Sequence, residues 1–284
     1  MNELRIATRR SPLALAQAGR VAALLATAHP DVSVRLVEVE AAADRDSLSP
    51  VAGLGLGAFV RAVQQAVCDG RADLAVHSLK DLPTSGPEDL VVCAPERDSP
   101  WDVVVGAPLD RLPANAVVGT GSPRRVAQLQ LLRPDLATAE LRGNIDTRLL
   151  NVKKGDVDAA ILAEAGLRRM GRDAEIAQIL SLEEMVPAPG QGALAVETKK
   201  EGDAAELVAA IDDPKLAVLL EAERLLLAAT GAGCRAALGA LARWEAGRIR
   251  FDVFVSNDWG PRRGVVFGDS PSQVVEAARK ELGL

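Results

Sequence analysis

Short apolar runs alternate with longer amphipathic stretches over the first two-thirds of the chain, a rhythm that predicts sheets covered by helices. Arg5–Ala7 is a short strand, and Ser11 followed by Pro12 marks the N-cap and first position of a helix running to about Ala28. Val32, Val34, Leu36, Val37 and Val39 form a second strand. Phe59–Val67 is predicted helical, ended by Asp69-Gly70, and Asp73–Val76 is a buried strand. This strand–helix–strand succession implies a mostly parallel sheet. After Pro95–Pro100 the pattern restarts, with strands at Trp101–Val105, Ala116–Gly119 and Asp158–Ala163 and helices at Pro123–Leu132 and Thr147–Val152. The segment Val186-Pro187-Ala188-Pro189-Gly190-Gln191-Gly192 interrupts helix and strand alike and predicts a crossover, after which Ala193–Glu197 is one more strand.

A third section opens at Asp213-Pro214, a second cap-plus-proline helix start, and runs apolar to Ala229. Strands at Arg248–Ser256 and Val265–Phe267 and a terminal helix at Ser272–Leu282 suggest a small α+β domain built on two neighbouring strands. The expected organisation is therefore a first α/β domain over residues 1–97 with 193–210, a second over 102–187, and a third over 214–284.

Composition narrows the function classes. A net charge of −6 argues against a general polyanion binder, and aromatics at 2% with no Tyr leave few stacking platforms for single-stranded nucleic acid. The chain is thus not expected to bind nucleic acid. Cys68, Cys93 and Cys234 are an odd set without a Cys-x-x-Cys pair, which fits neither a disulfide framework nor a zinc site. Met1–Arg10 has no apolar leader pattern and no apolar run approaches about 18 residues, so the expected home is the cytoplasm, away from membranes.

Unusual residues gather in loops at the ends of the predicted strands. They are Thr8-Arg9-Arg10-Ser11-Pro12, His77-Ser78-Leu79-Lys80-Asp81, Gly119-Thr120-Gly121-Ser122-Pro123-Arg124-Arg125 and Leu141-Arg142-Gly143-Asn144. Open α/β sheets bind ligands beyond the carboxyl ends of their strands, where helix starts present free N–H groups to anions. Arginine adds a planar fork that matches a carboxylate. Alone, Arg9 or Arg142 reads as a solvated side chain, and Arg168 and Arg169 as surface. Adjacent Arg124 and Arg125 are different, because like charges so close repel unless an anion separates them, and the anion expected there is a ligand. Arg148, six residues after Arg142, can share that site. Asp81 fits an ion pair with Lys80 as well as an acid facing an anion site. His77 reads as a half-buried strand residue, and with His29 remote no His-based triad or metal site can be assembled. Cys68 and Cys93 read as packing residues. Cys234, between small residues and Arg235, can be an attachment point or a spare loop thiol.

These loops, in this order, resemble the porphobilinogen deaminase family. The matching pieces are Arg5-Ile6-Ala7-Thr8-Arg9 with Ser11-Pro12-Leu13-Ala14-Leu15, Ala75-Val76-His77-Ser78-Leu79-Lys80-Asp81-Leu82-Pro83, Gly119-Thr120 with Arg124-Arg125, Leu141-Arg142-Gly143-Asn144 with Thr147-Arg148, Ala165-Gly166-Leu167, and Pro189-Gly190-Gln191-Gly192-Ala193. The resemblance implies two periplasmic-binding-protein-like α/β domains around a cleft, plus a smaller C-terminal α+β domain bearing the cofactor cysteine. It implies a monomeric hydroxymethylbilane synthase that deaminates four porphobilinogen molecules and joins them head to tail on a dipyrromethane cofactor in thioether linkage to Cys234. Asp81 would be catalytic, stabilising the cationic azafulvene left as ammonia departs. Lys80, Ser122, Arg124, Arg125 and Arg148 would hold the cofactor, and Arg9, Ser11, Arg142, Arg148, Arg169 and Gln191 the substrate carboxylates.

The sequence also departs from the family pattern. Ala41-Ala42-Ala43-Asp44 stands where a Thr-x-Gly-Asp stretch is usual, and Gly55-Leu56-Gly57-Ala58-Phe59 replaces a glycine loop that normally carries lysine. Ala62 and Gln64 replace glutamates on the following helix. The missing cation predicts weaker retention of the growing polyanion while leaving the chemical step in place. Two other readings compete: a degenerate paralogue that loads cofactor without polymerising, and a non-enzymatic binder of a small polycarboxylate.

Overall fold

Leu4, Ile6 and Ala7 alternate across a strand buried on both sides, so its neighbours must carry helices on two faces. The computed structural model describes residues 2–40, 57–231 and 237–284. Its first unit, Met1–Arg97 with Ala193–Ala217, contains β1 (Glu3–Arg9), α1 (Pro12–Ala28), β2 (Ser33–Val39), α2 (Gly57–Cys68), β3 (Leu74–Ser78) and β4 (Leu90–Cys93). The second unit, Asp98–Gly192 with Val218–Leu284, begins with β5 (Asp102–Val105), β6 (Val117–Gly119), α3 (Pro123–Leu132), β7 (Ala137–Ala139), α4 (Ile145–Lys154), β8 (Ala159–Ala163), α5 (Glu164–Arg169) and β9 (Ile176–Ile179). Returning to the first unit, the chain forms β10 (Leu194–Lys199) and α6 (Asp203–Ala209), and α7 (Pro214–Ala229) leads back out. β11 (Ala237–Glu245), β12 (Arg248–Asn257), β13 (Gly260–Gly268) and α8 (Pro271–Leu282) complete the second unit.

The first sheet has the order β2-β1-β3-β10-β4. β1 pairs in parallel with β2 and β3, whereas β10 runs antiparallel to both β3 and β4. Leu4, Ile6, Leu74 and Val196 pack with Ala18, Val21 and Leu25 of α1 and Val208 of α6; Ala7 and Ala75 pack on the other face with Val63, Ala66 and Val67 of α2. The second sheet, β7-β6-β8-β5-β9, repeats the plan: β6 is parallel to β7 and β8, and β5 is antiparallel to β8 and β9. Val104, Val118 and Ile161 meet Leu129 of α3, while Val103, Ala160 and Leu162 meet Leu149 of α4 and Leu167 of α5.

The expected mostly parallel sheet is thus corrected to two mixed sheets, each with antiparallel strands beside a parallel set. The C-terminal part is also corrected, from two strands to three: β11-β12-β13 form an antiparallel sheet backed by α7 and α8. β11 escapes a sequence reading because Ala237-Leu-Gly-Ala-Leu-Ala has no β-branched residue and is held as strand by nine-residue pairing with β12. The cap-plus-proline signals at Ser11-Pro12 and Asp213-Pro214 mark helix starts correctly, and the terminal helix, expected from Ser272, starts at Pro271 behind Ser270. Ser11 Oγ accepts from Ala14 N at 3.3 Å, Asp213 Oδ1 from Leu216 N at 3.1 Å and Ser270 Oγ from Gln273 N at 3.4 Å.

Candidate active site

In the first unit, buried β3 delivers the chain into a single 3-10 turn, Leu79–Asp81. Leu79 and Leu82 are buried, and the Leu79 amide donates to Ala193 O at 3.0 Å, so the turn is pinned at both ends. That leaves Lys80 half-buried and Asp81 exposed. Gln17 of α1 donates to Ser78 Oγ at 2.7 Å. Behind the strand end, His77 Nε2 lies 3.0 Å from Glu197 Oε2, and Glu197 Oε1 accepts from Gln64 Nε2 at 2.9 Å. The expectation of a half-buried His77 is corrected: it is 7% exposed, packed against Glu197, which Gln64 bonds from α2. Arg9 ends β1, and Ser11 caps α1.

In the second unit β6 ends at Gly119, and Ser122 takes the N-cap of α3. Its hydroxyl makes no bond to the helix; its amide instead donates to Thr120 Oγ1 at 3.2 Å. The first turn then buries both guanidinium-bearing residues, Arg124 at 3% and Arg125 at 6% exposure. The expectation that a ligand separates them is corrected: the anion between them is the chain's own Asp102, fully buried at the start of β5. Arg124 Nη1 lies 2.6 Å from Asp102 Oδ2, and Arg125 Nη2 2.7 Å from Oδ1. Arg124 also donates to Val186 O and Arg125 to Ile161 O, each at 2.7 Å. Gln191 Nε2 donates to Asp102 Oδ1 at 3.1 Å and Pro100 O at 2.7 Å. Burial alone pushes the Asp102 carboxyl up, but the two guanidiniums outweigh it and hold the group well below the usual carboxylate range. Burial pushes the Arg125 guanidinium down, with Asp102 opposing.

One carboxylate facing two guanidiniums leaves the cluster with excess positive charge, and Arg124 Nε is buried without a hydrogen-bond partner. The adjoining helix start lacks a side-chain cap. All three features favour a further anion, so an acid-bearing cofactor fits these residues.

The remaining candidates fall in two groups. Arg142 is exposed and pairs with Glu140 at 2.7 Å, while Arg148 Nε donates to Gly143 O at 2.9 Å beside the α4 N-terminus. Arg169 is no surface residue: its side chain is 6% exposed, meeting Asp98 Oδ2 at 2.8 Å and Gly192 O at 2.5 Å. Asp102 and Glu223, two buried carboxylates that gather polar contacts in the second unit, carry no sequence motif. Asp102's only signal is a charge opening an otherwise apolar strand. Cys234, Asp44 and Leu56 lie outside the described residues, among which no group of His, Cys, Asp and Glu suits a metal and no helix is long and apolar enough to cross a membrane. Cys93 is buried, and burial pushes its thiol up, in keeping with a packing role.

Residues 4–207 match the family model described as porphobilinogen deaminase, dipyromethane cofactor binding domain. Porphobilinogen deaminase 1 of Streptomyces coelicolor is 48% identical over 254 residues, covering 84% of this chain and 77% of its own. Porphobilinogen deaminase of Mycobacterium avium is 43% identical over 99% of this chain and 91% of its own. Among solved structures, the methionine-binding protein MetQ superposes with a TM-score of 0.46 at 11% identity, covering 82% of this chain and 95% of that one. The family model and these relatives mark a transferase, here built on two mixed α/β sheets. The chain belongs to the porphobilinogen deaminase family.

Proposed function

We propose that this chain is a hydroxymethylbilane synthase, polymerising four porphobilinogen molecules on a dipyrromethane primer held through Cys234, and that it acts as a cytoplasmic monomer. The buried Asp102–Arg124–Arg125 cluster supports the reading most directly, because its excess charge and orphan donor suit a ligand bearing acetate and propionate groups. When bound, the dipyrromethane would supply a terminal pyrrole carbon to which the first porphobilinogen is joined. Arg124, Arg125, Ser122, Lys80 and Arg148 hold its carboxylates, with Asp102 and Gln191 keeping the two guanidiniums in place. Arg9, Ser11, Arg142 and Arg148 receive substrate carboxylates. Arg169 and Gln191, which the resemblance places on the substrate, here engage the crossover and Asp102, which fits a bracing role beside any ligand contact.

Asp81 is the catalytic residue of this proposal. Loss of ammonia from the aminomethyl arm of porphobilinogen leaves positive charge over the pyrrole ring, and a fixed carboxylate lowers the barrier to forming it. The pinned turn fixes the backbone from which Asp81 projects, which limits the reorganisation needed when that charge appears.

Intact mass and porphobilinogen consumption test the proposal together. The expected result is a dipyrromethane increment on the purified chain, lost in Cys234→Ser, with steady consumption of porphobilinogen by the unaltered protein. An increment without consumption would leave a degenerate paralogue; neither would leave a polycarboxylate binder.

A further inference from the structure

The crossover 186–192 is gripped from two directions within the second unit. On one side, Val186 N donates to Gln128 Oε1 at 2.8 Å, and Val186 O accepts from Arg124 Nη1 at 2.7 Å and Gln128 Nε2 at 3.1 Å. Five residues on, Gln191 reaches Asp102, the carboxylate that holds both arginines. On the other side, Ala240 N of β11 donates to Pro187 O at 2.9 Å, and Gly239 lies so close that a Cβ there would sit 2.6 Å from Val186 O. The second grip is closed by Glu223. This α7 side chain is fully buried, and its carboxylate accepts from Gly190 N at 2.7 Å and from Ala242 N at 2.9 Å.

Burying a carboxylate is costly, and two backbone N–H groups from segments about fifty residues apart are a specific way to offset it. The two elements joined are telling. α7 and β11 are the described elements on either side of residues 232–236, the stretch that contains Cys234. We propose that Glu223 is a positioning residue for the reaction: it fixes α7 and β11 to the crossover, and through Val186 and Gln191 to the Arg124–Arg125–Asp102 cluster. The stems of the primer-bearing segment and the guanidiniums that receive the primer's carboxylates are thereby held in one register. The inference rests on the proposed function, since it assigns Cys234 the primer.

Glu223→Gln keeps size and burial but turns one acceptor into a donor facing an N–H, so one of the two bonds is lost. The holoenzyme of this variant is compared with that of Val274→Ala, which trims the core of the same C-terminal sheet away from the crossover. The expected result for Glu223→Gln is faster amide exchange at Gly190 or Ala242, unchanged primer mass, and a kcat lowered between about ten- and a hundredfold at nearly constant KM. Val274→Ala should be destabilised with kcat within about twofold of the unaltered protein and exchange at those amides unchanged. An unaltered kcat in Glu223→Gln despite faster exchange would overturn the role, as would equal kcat losses in the two variants. Absence of a primer on the unaltered chain would instead strike the proposed function itself.

Discussion

Arg124 Nη1 lies 2.6 Å from Asp102 Oδ2, where the carboxylate is fully buried and the guanidinium nearly so. Arg125 shares the same carboxylate, so Asp102 is what allows two neighbouring guanidiniums to be buried at all. Removing one member of a buried ionic group leaves uncompensated charge, at a cost of about 3–5 kcal/mol. Asp102→Asn should lose stability of that order at neutral pH. The sign of the pH effect follows from the depressed carboxyl. Its contribution is complete above the unfolded value of about 3.9 and is lost as pH falls toward the lower folded value. Over that acid range the unaltered protein should lose about 1.4 kcal/mol per pH unit through this group, and Asp102→Asn should lack that slope. Urea melts at a series of acidic pH values measure both quantities; parallel acid limbs would remove Asp102 from this role.

Gly192 closes the crossover with φ of +85°, and a Cβ there would lie 2.8 Å from Ser99 O and closer still to Asp98 O. Both obstacles are backbone, so neither can swing aside. Gly192→Ala should therefore cost at least about 1–3 kcal/mol from the left-handed backbone alone. Because Gly192 O also accepts from Arg169, the same change should raise the exposure of Arg169. Thermal melts, with arginine-selective labelling of Arg169 followed by mass spectrometry, check the two outcomes.

Six of the eight described helices and the crossover were legible in the sequence because their signals are local, whereas the short α5 and α6 were not. Ser11-Pro12, Ser122-Pro123 and Asp213-Pro214 place three helix starts where the structure has them. Strand direction was not legible: β10 reads as apolar whether it runs parallel or antiparallel, and only the return of the chain from the second unit reverses it. The arginine pair was visible as a pair that needs an anion, but not the identity of that anion. Asp102 is 22 residues away from Arg124 and acts through pairing that only the folded sheet creates. Glu223 was hidden for the same reason, since Gly190 and Ala242, two of its partners, contribute only backbone.

Asp81 is exposed at the end of a turn whose fixed points, Leu79 and Leu82, are its buried neighbours. Neutralising it should not disturb those anchors. Asp81→Asn is expected to melt within about 0.5 kcal/mol of the unaltered protein, as exposed substitutions do, and to carry the primer. Turnover of porphobilinogen should nonetheless be abolished, because an amide cannot balance the charge left by departing ammonia. Rapid-quench detection of ammonia release tests this directly, and near-normal release would refute the assignment.

Position 56 offers a change that should add a property. The family's glycine loop usually presents lysine where this chain has Leu56, a residue outside the described part of the structure. Each unit added to the product brings further carboxylates, so a cation near the growing chain should matter more at late steps than at the first. Screening limits such a contact between exposed charges to about 1 kcal/mol or less, a several-fold effect on retention. Leu56→Lys should accordingly raise the share of enzyme carrying three or four units over that carrying one, and the gain should shrink as salt rises. Mass spectrometry of complexes trapped during turnover, at low and high ionic strength, reads the distribution. Identical distributions for Leu56→Lys and the unaltered chain at low salt would show that the lost lysine has no part in holding the product.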